Sequence, residues 1–195
     1  GSTGCILAEF SNDKKLEGLN LSEISEEFSC SPEEAAMRLY EISEGSFVLH
    51  SMEEQDVDTI GMSDIIAVAS DGNSLRNTGP LSNGKPHPRS YGTNTRFIED
   101  MVVNKKKVSI SNAIYRMTSL PASRIGLKNR GEIKKGYFAD INIFKPEELK
   151  EKATYVDPHQ YSTGMKWVLV NGKIALKDGK KIEGRFGKVV RSKEG

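Results

Sequence analysis

The sequence predicts an α/β protein that gives way to antiparallel β-structure near its end, and two observations carry that prediction. In the first two thirds, short apolar runs without polar alternation are separated by stretches with helical spacing, the habit of parallel sheets covered on both faces by helices. From about Lys128 the texture changes to strict alternation of apolar and polar residues broken by Asn-Gly and Asp-Gly pairs, the pattern of hairpins.

Taken in order, residues 6–10 read as a short strand, followed by the polar turn Ser11-Asn12-Asp13-Lys14-Lys15. Residues 21–28 read as a helix with Ser22 as its N-cap. In "SCSPEEAAMRLYEISEG" a serine cap precedes Pro32 at the first helical position, with Glu33 and Glu34 in the first turn. Ala36, Leu39, Tyr40 and Ser43 then share one face, and Gly45 ends the helix. Residues 46–50 form another buried strand, and the acidic stretch 52–62 is helical. The run Ile65-Ile66-Ala67-Val68-Ala69 predicts a strand buried on both faces, ending at Ser70-Asp71-Gly72. Strand, helices, strand, helix, strand is the order of a parallel α/β body.

The polar stretch "GNSLRNTGPLSNGKPHPRSYG" is a long loop, and loops of such length usually serve binding or lid duty. Residues 94–104 follow as a helix with Phe97, Ile98, Met101 and Val102 inward. A further helix capped by Ser109 carries Ile110, Ala113, Ile114, Met117 and Leu120 on its apolar stripe. Pro121 restarts a short turn of helix that Gly126 stops. These stripes are core, with no cofactor box in them. Residues 139–144 alternate as a strand. The hairpin at 166–176 turns on Asn171-Gly172 as type I′, a second turn falls at Asp178-Gly179, and Trp167 belongs to the core.

Composition narrows the function classes. The 28 basic and 27 acidic residues leave a formal charge of +1, which gives no bias toward nucleic acid or an anionic membrane surface. No apolar stretch approaches the roughly 18 residues that cross a bilayer, and the first residues read as lacking the basic and apolar regions of a signal peptide. Cys5 and Cys30 lie far apart without metal-like spacing, which suits a reducing compartment, so the expected location is cytoplasmic. The opening Gly1-Ser2 reads as an expression scar, and without an initiator Met the sequence reads as starting inside a longer chain.

Asp71 is the first candidate for chemistry, with two readings. At the C-terminal edge of a parallel strand, loops converge and functional groups collect. Alternatively, Asp71 caps a turn with its carboxylate while Gly72 supplies a positive φ.

"GEIKKGYFADINIF" followed by "VLVNGKIALKDG" resembles the C-terminal signature of the metal-dependent amidohydrolase superfamily. With "SDG", "PHPRSYGT", "MTSLPASRIGL", "NRGEIKKGYFADI" and "DPHQY" in the family's order, residues 15–190 resemble the C-terminal part of the N-acyl-D-amino-acid deacylases, or D-aminoacylases. The resemblance implies the last portion of a TIM-like (β/α) barrel over residues 1–127 and part of a small antiparallel β-sandwich over residues 128–195. It also implies a zinc-dependent hydrolase acting on small N-acyl-D-amino acids.

In that family the aspartate ending the eighth barrel strand touches the zinc and shuttles the proton, and Asp71 matches it. Such a carboxylate takes a proton from the attacking water and returns it to the departing amine. Arg89 matches the residue that binds the substrate's α-carboxylate, where a planar guanidinium fixes orientation as well as charge. Tyr91 of the same motif is an expected substrate contact, and His87, pinned between Pro86 and Pro88, is expected to shape the loop or contact substrate. His50 and His159 are expected to be structural. The chain lacks the family's His-x-His pair and has three histidines in all, too few for a catalytic zinc with its usual protein ligands. The expectation is therefore a fragment inactive alone, with exposed sheet edges through which an oligomer could form. A noncatalytic assembly module on the same scaffold and a cyclic amide hydrolase are the alternatives.

Overall fold

The computed structural model describes residues 1–191 and forms a mixed α/β structure whose two sheets are both antiparallel. The predicted region 128–195 thus ends with four residues outside the described ones. The chain divides into two compact units that do not follow chain order.

The first unit comprises Gly1–Glu54, Asp71–Gly92 and Lys152–Tyr161. Its N-terminal part is a strand, two helices and a strand: β1 (Cys5–Phe10), α1 (Leu21–Glu27), α2 (Pro32–Ile42) and β2 (Gly45–Leu49). Helix α1 is capped by Asn20 rather than Ser22. The Asn20 side chain accepts from the amides of Ser22 and Glu23, and the Glu23 carboxylate accepts from the Asn20 amide at 2.7 Å. An Asn three residues ahead of a Glu closes this reciprocal box, so Ser22 lies inside the helix. Helix α2 starts as expected, with Ser31 accepting from the Glu34 amide at 3.2 Å and Pro32 at the first position. Its buried stripe is Ala35 and Leu39, while Tyr40 is exposed.

β1 and β2 pair antiparallel, correcting the parallel order read from the sequence. One crossover helix returns a strand parallel to its predecessor; a pair of helices adds a reversal and brings it back antiparallel. Leu7, Phe10, Leu16, Ile24, Ala35 and Leu39 form the core of this unit.

The second unit holds Gln55–Ser70, Thr93–Glu151 and the chain from Ser162 onward. Helix α3 (Glu54–Gly61) leads into the segment expected to be a buried strand. That expectation is corrected: residues 65–70 form neither strand nor helix, and Ile65 is 73% exposed. A strand apolar on both faces is stable only between ladder neighbours, and among the described residues nothing pairs with it as a strand. Arginine side chains hold it instead. Arg124 donates to the Ile65 carbonyl at 2.6 Å and Arg116 Nε to the Ile66 carbonyl at 2.7 Å, while the Val68 amide donates to the Arg116 carbonyl at 3.0 Å.

Helix α4 (Arg89–Phe97) starts earlier than expected and continues as π-helix over Ile98–Asn104, with Ile98 and Met101 buried. Helix α5 (Ile110–Met117) is capped by Ser109, which accepts from the Asn112 amide at 3.2 Å, and α6 (Ser119–Arg124) follows. Met101, Val108 and Ala113 form the core here.

The last third is the expected antiparallel sheet: β3 (Ile141–Phe144), β4 (Met165–Val170), β5 (Lys173–Lys177) and β6 (Lys180–Lys181), in that spatial order. Asn171 and Gly172 both take positive φ, as do Asp178 and Gly179, which is the geometry of type I′ turns. Trp167 is only half-buried, with the Lys177 ammonium over its ring at 4.9 Å.

Candidate functional site

The chemistry-bearing residues singled out in the sequence gather in the first unit, on the loop 71–92 and the segment 152–161. Asp71 itself adopts the left-handed conformation, at φ 48°, and Gly72 does not. The turn reading is thereby corrected in detail, because aspartate is among the residues that tolerate this region. Gly72 is needed for a different reason. A Cβ there would lie 2.8 Å from Ser90 Cα and 3.1 Å from the Arg89 carbonyl oxygen. The missing side chain lets the backbone after Asp71 press against the start of α4.

That approach places Asp71 beside Arg89, with the guanidinium 3.0 Å from the carboxylate. Asp71 is 86% exposed and Arg89 46%, so the pair faces solvent and water screens it. A carboxylate and a guanidinium eighteen residues apart in the chain thus sit together.

The rest of the loop is fixed at several points within the unit. The Lys85 amide donates to the Ala8 carbonyl at 2.5 Å, where β1 is bulged. A Cβ on Gly84 would meet that same oxygen at 2.6 Å, and Gly84 has φ +71°, so only glycine fits. The Lys85 ammonium reaches the Val156 carbonyl at 2.9 Å.

Tyr91 and His159 form a chain of hydrogen bonds. The Tyr91 hydroxyl lies within hydrogen-bond reach of two partners, the Arg76 carbonyl at 2.7 Å and His159 Nδ1 at 2.6 Å, while His159 Nε2 donates to the Gly84 carbonyl at 2.9 Å. Burial pushes the Tyr91 phenol above its ordinary range, and Tyr161 adds to this. These bonds place His159, expected to be structural, between Tyr91 and the Gly84 carbonyl. Tyr91 binds the loop to itself, and sequence alone did not suggest that occupation. The third histidine, His87, has Nδ1 accepting from the Arg89 amide at 3.0 Å and Nε2 3.2 Å from the Tyr155 hydroxyl. His50 packs on the same tyrosine, ring centroids 4.3 Å apart.

Tyr91→Phe removes the donor to Arg76 and the partner of His159. The expected result is local destabilisation of the loop by about 0.5–1.5 kcal/mol, the usual net contribution of a hydrogen bond, since the contact with Arg76 is exposed and that with His159 part-buried. Faster proteolytic nicking between Arg76 and Gly84 than in the unmodified chain would report it; equal rates would count against the latch.

No cluster of three or more His, Cys, Asp and Glu side chains suited to a metal ion occurs among the described residues. A catalytic zinc takes three protein ligands, so these residues do not build such a centre by themselves. No helix among the described residues is long and apolar enough to cross a membrane.

Residues 79–176 match the amidohydrolase family. The chain is 33% identical over 156 residues to the N-acyl-D-aspartate deacylase of Alcaligenes xylosoxydans xylosoxydans, covering 80% of this chain and 29% of that protein. It is 30% identical over 158 residues to the D-aminoacylase of the same organism, covering 81% of this chain and 31% of that one. Among solved structures, the N-acyl-D-glutamate deacylase from Bordetella bronchiseptica superposes with a TM-score of 0.84 at 29% identity. The match covers 97% of this chain and 38% of that chain. That protein was crystallised with zinc and a phosphonate inhibitor that mimics the tetrahedral intermediate of its reaction. The chain thus spans less than a third of the length of the curated relatives it matches.

Proposed function

The chain belongs to the amidohydrolase family, and from that premise we propose that it supplies part of the active site of an enzyme hydrolysing N-acyl-D-amino acids to a D-amino acid and a carboxylate. The observation that carries this reading is the Asp71–Arg89 pair at 3.0 Å, one group fit to move a proton and one fit to hold a carboxylate. Arg89 takes the substrate's α-carboxylate by parallel hydrogen bonds, which fixes the orientation that separates D from L substrates. Asp71 takes a proton from the attacking water and returns it to the departing amine. Substrate binding then exchanges one carboxylate for another at Arg89 and leaves Asp71 available for proton transfer.

In this reading Asp71 is the chain's contribution to a zinc site, and the remaining ligands come from polypeptide outside it. Because the described residues do not complete that site, no step is assigned to the metal. Residues 1–127 serve as the last portion of a TIM-like barrel and residues 128–195 as part of a β-sandwich. Ile65, exposed in the segment 65–69, is apolar surface of the kind that neighbouring barrel strands cover. Tyr91 and His87 shape the substrate-binding loop.

The test is a chimera in which residues 1–195 replace the matching segment of the Alcaligenes D-aminoacylase. Hydrolysis of N-acyl-D-amino acids with preference over the L forms is expected; a folded chimera with no such activity would sink the proposal. The purified 195-residue chain alone is expected to hydrolyse nothing and to bind zinc weakly, since one carboxylate leaves most of the coordination to water. Turnover by that chain, abolished by a chelator, would contradict this.

A further inference from the structure

The helix carrying Arg89 begins with an unusual set of hydrogen bonds. The first amides of any helix have no partner within it and must find one elsewhere. In α4 each of them does. The Arg89 amide donates to His87 Nδ1 at 3.0 Å and the Ser90 amide to the His87 carbonyl at 3.1 Å. The amides of Tyr91 and Gly92 both donate to the Pro88 carbonyl, at 2.9 and 3.2 Å. Pro88 has no N–H to satisfy.

The imidazole thus does what an Asn or Asp oxygen does in an Asx turn, accepting from the amide two residues ahead. Only one form of the ring can do so. An amide donor needs a lone pair at Nδ1, so the proton of the neutral ring stands on Nε2. Nε2–H then donates to the Tyr155 hydroxyl at 3.2 Å, with the two rings edge to face at 5.1 Å. An Asn could make the first bond and would not make the second. Among the groups that face His87 are Arg89 on α4 and Tyr155 on the segment 152–161, with His50 behind Tyr155. A proton on Nδ1 would point at the Arg89 amide, so the capping form is the neutral one.

We propose that His87 is a positioning residue: its unprotonated Nδ1 caps the helix at the Arg89 amide, while Nε2–H ties that cap to Tyr155, so the ring sets where Arg89 stands beside Asp71. This makes specific the loop-shaping alternative expected of His87 from the sequence, exerted through Arg89. That functional consequence rests on the reading of Arg89 as the carboxylate-binding residue; the cap itself does not.

The experiment has two arms. In the first, the 15N-labelled 195-residue chain is examined by long-range imidazole 1H–15N correlation and by amide hydrogen exchange. His87 is expected to carry its proton on Nε2 alone at neutral pH. His87→Phe keeps an aromatic ring against Tyr155 but has no acceptor, and should speed exchange of the Arg89 amide by about tenfold, the effect of one lost hydrogen bond. The Tyr91 and Gly92 amides, bonded to Pro88, should change by less than about twofold, since their bonds remain. His87→Asn should restore Arg89 protection. A proton on Nδ1, or equal protection of Arg89 in the Phe variant, would overturn the cap without any need for the variants to be active.

In the second arm, the deacylase chimera carrying His87→Phe should show KM raised by about tenfold, roughly one hydrogen bond's worth of substrate orientation, with kcat within about twofold. His87→Asn, which keeps the cap but not the tie to Tyr155, should recover KM in part. A loss confined to kcat would mean that His87 acts on the reacting atoms and would overturn the positioning role. An inactive parent chimera would count against the deacylase reading, and the first arm would still decide the cap.

Discussion

Asp71→Asn in the chimeric deacylase should lower kcat by about two orders of magnitude or more, the usual scale of general acid–base catalysis, with little change in stability. The substitution isolates the proton acceptor. Asn is the other residue that readily occupies the left-handed conformation Asp71 adopts at φ 48°, so the turn survives. The lost ion pair with Arg89 is solvent-exposed, and such pairs contribute about 0–1 kcal/mol. A stability change of that size cannot produce a hundredfold loss of rate. Arg89→Lys gives the contrasting signature. It keeps the charge and loses the fork, and one charge-assisted hydrogen bond of about 1.5–3 kcal/mol raises KM by roughly ten- to a hundredfold. If Asp71→Asn left kcat within a factor of about three, a change too small for a lost proton shuttle, the carboxylate would be a turn residue and nothing more.

What the sequence discloses of this fold is what depends on near neighbours. Ser31 ahead of Pro32, Ser109 ahead of α5 and Asn171-Gly172 between β4 and β5 were all readable, because caps and type I′ turns are decided within a few residues. The box formed by Asn20 and Glu23 obeys the same rule and is legible too, although Ser22 two residues later is an equally suitable cap by residue type. The antiparallel pairing of β1 and β2 depends instead on how many times the chain reverses between them, which periodicity does not report. The run at 65–69 carries the right residues for a buried strand, but a ladder needs partners, and composition is silent about where they are.

The candidate site divides in the same way. Asp71 and Arg89 were identified from motif resemblance, and the structure brings them together through a glycine whose purpose, close approach to Ser90, no local pattern reveals. From the sequence His87 is expected to shape the loop or contact substrate. Its spacing of two from Arg89 is that of an Asx-type cap, so the signal was present, in a residue not usually considered for the part. Tyr91 was grouped with the substrate contacts, and its hydroxyl is taken by Arg76 and His159. His159 lies far along the chain from it, beyond the reach of any window-based reading.

Arg116 is the largest fully buried side chain among the described residues, and Arg116→Met should lower stability by about 3 kcal/mol or more. On the sequence it stands within the helix whose stripe of Ile110, Ala113, Ile114 and Met117 marks the core, where an arginine ordinarily points outward. It is 1% exposed, and carbonyl oxygens meet its charge: Gly61 accepts from one terminal nitrogen at 2.5 Å and Ile66 from Nε at 2.7 Å. Phe97 lies 5.1 Å beneath the guanidinium carbon. Burial pushes the guanidinium below its ordinary value, and the charge of Asp64 opposes the shift without cancelling it. Methionine fills much of the same volume and donates nothing, so the Gly61 and Ile66 carbonyls lose their partner at about 1–3 kcal/mol each. For a chain of this size that corresponds to a fall in Tm of roughly 6–12 °C. Arg116→Lys should lie between the two, because a single ammonium lacks the planar fork that reaches both carbonyls. The consequence is local in the second unit: Arg116 supports the segment 61–68, which has no sheet ladder to hold it. Amides from Gly61 to Val68 should therefore lose exchange protection ahead of those in β3–β5. A Tm within about 2 °C of the unmodified chain, less than one such orphaned carbonyl would cost, would show that the side chain is accommodated there without supporting anything.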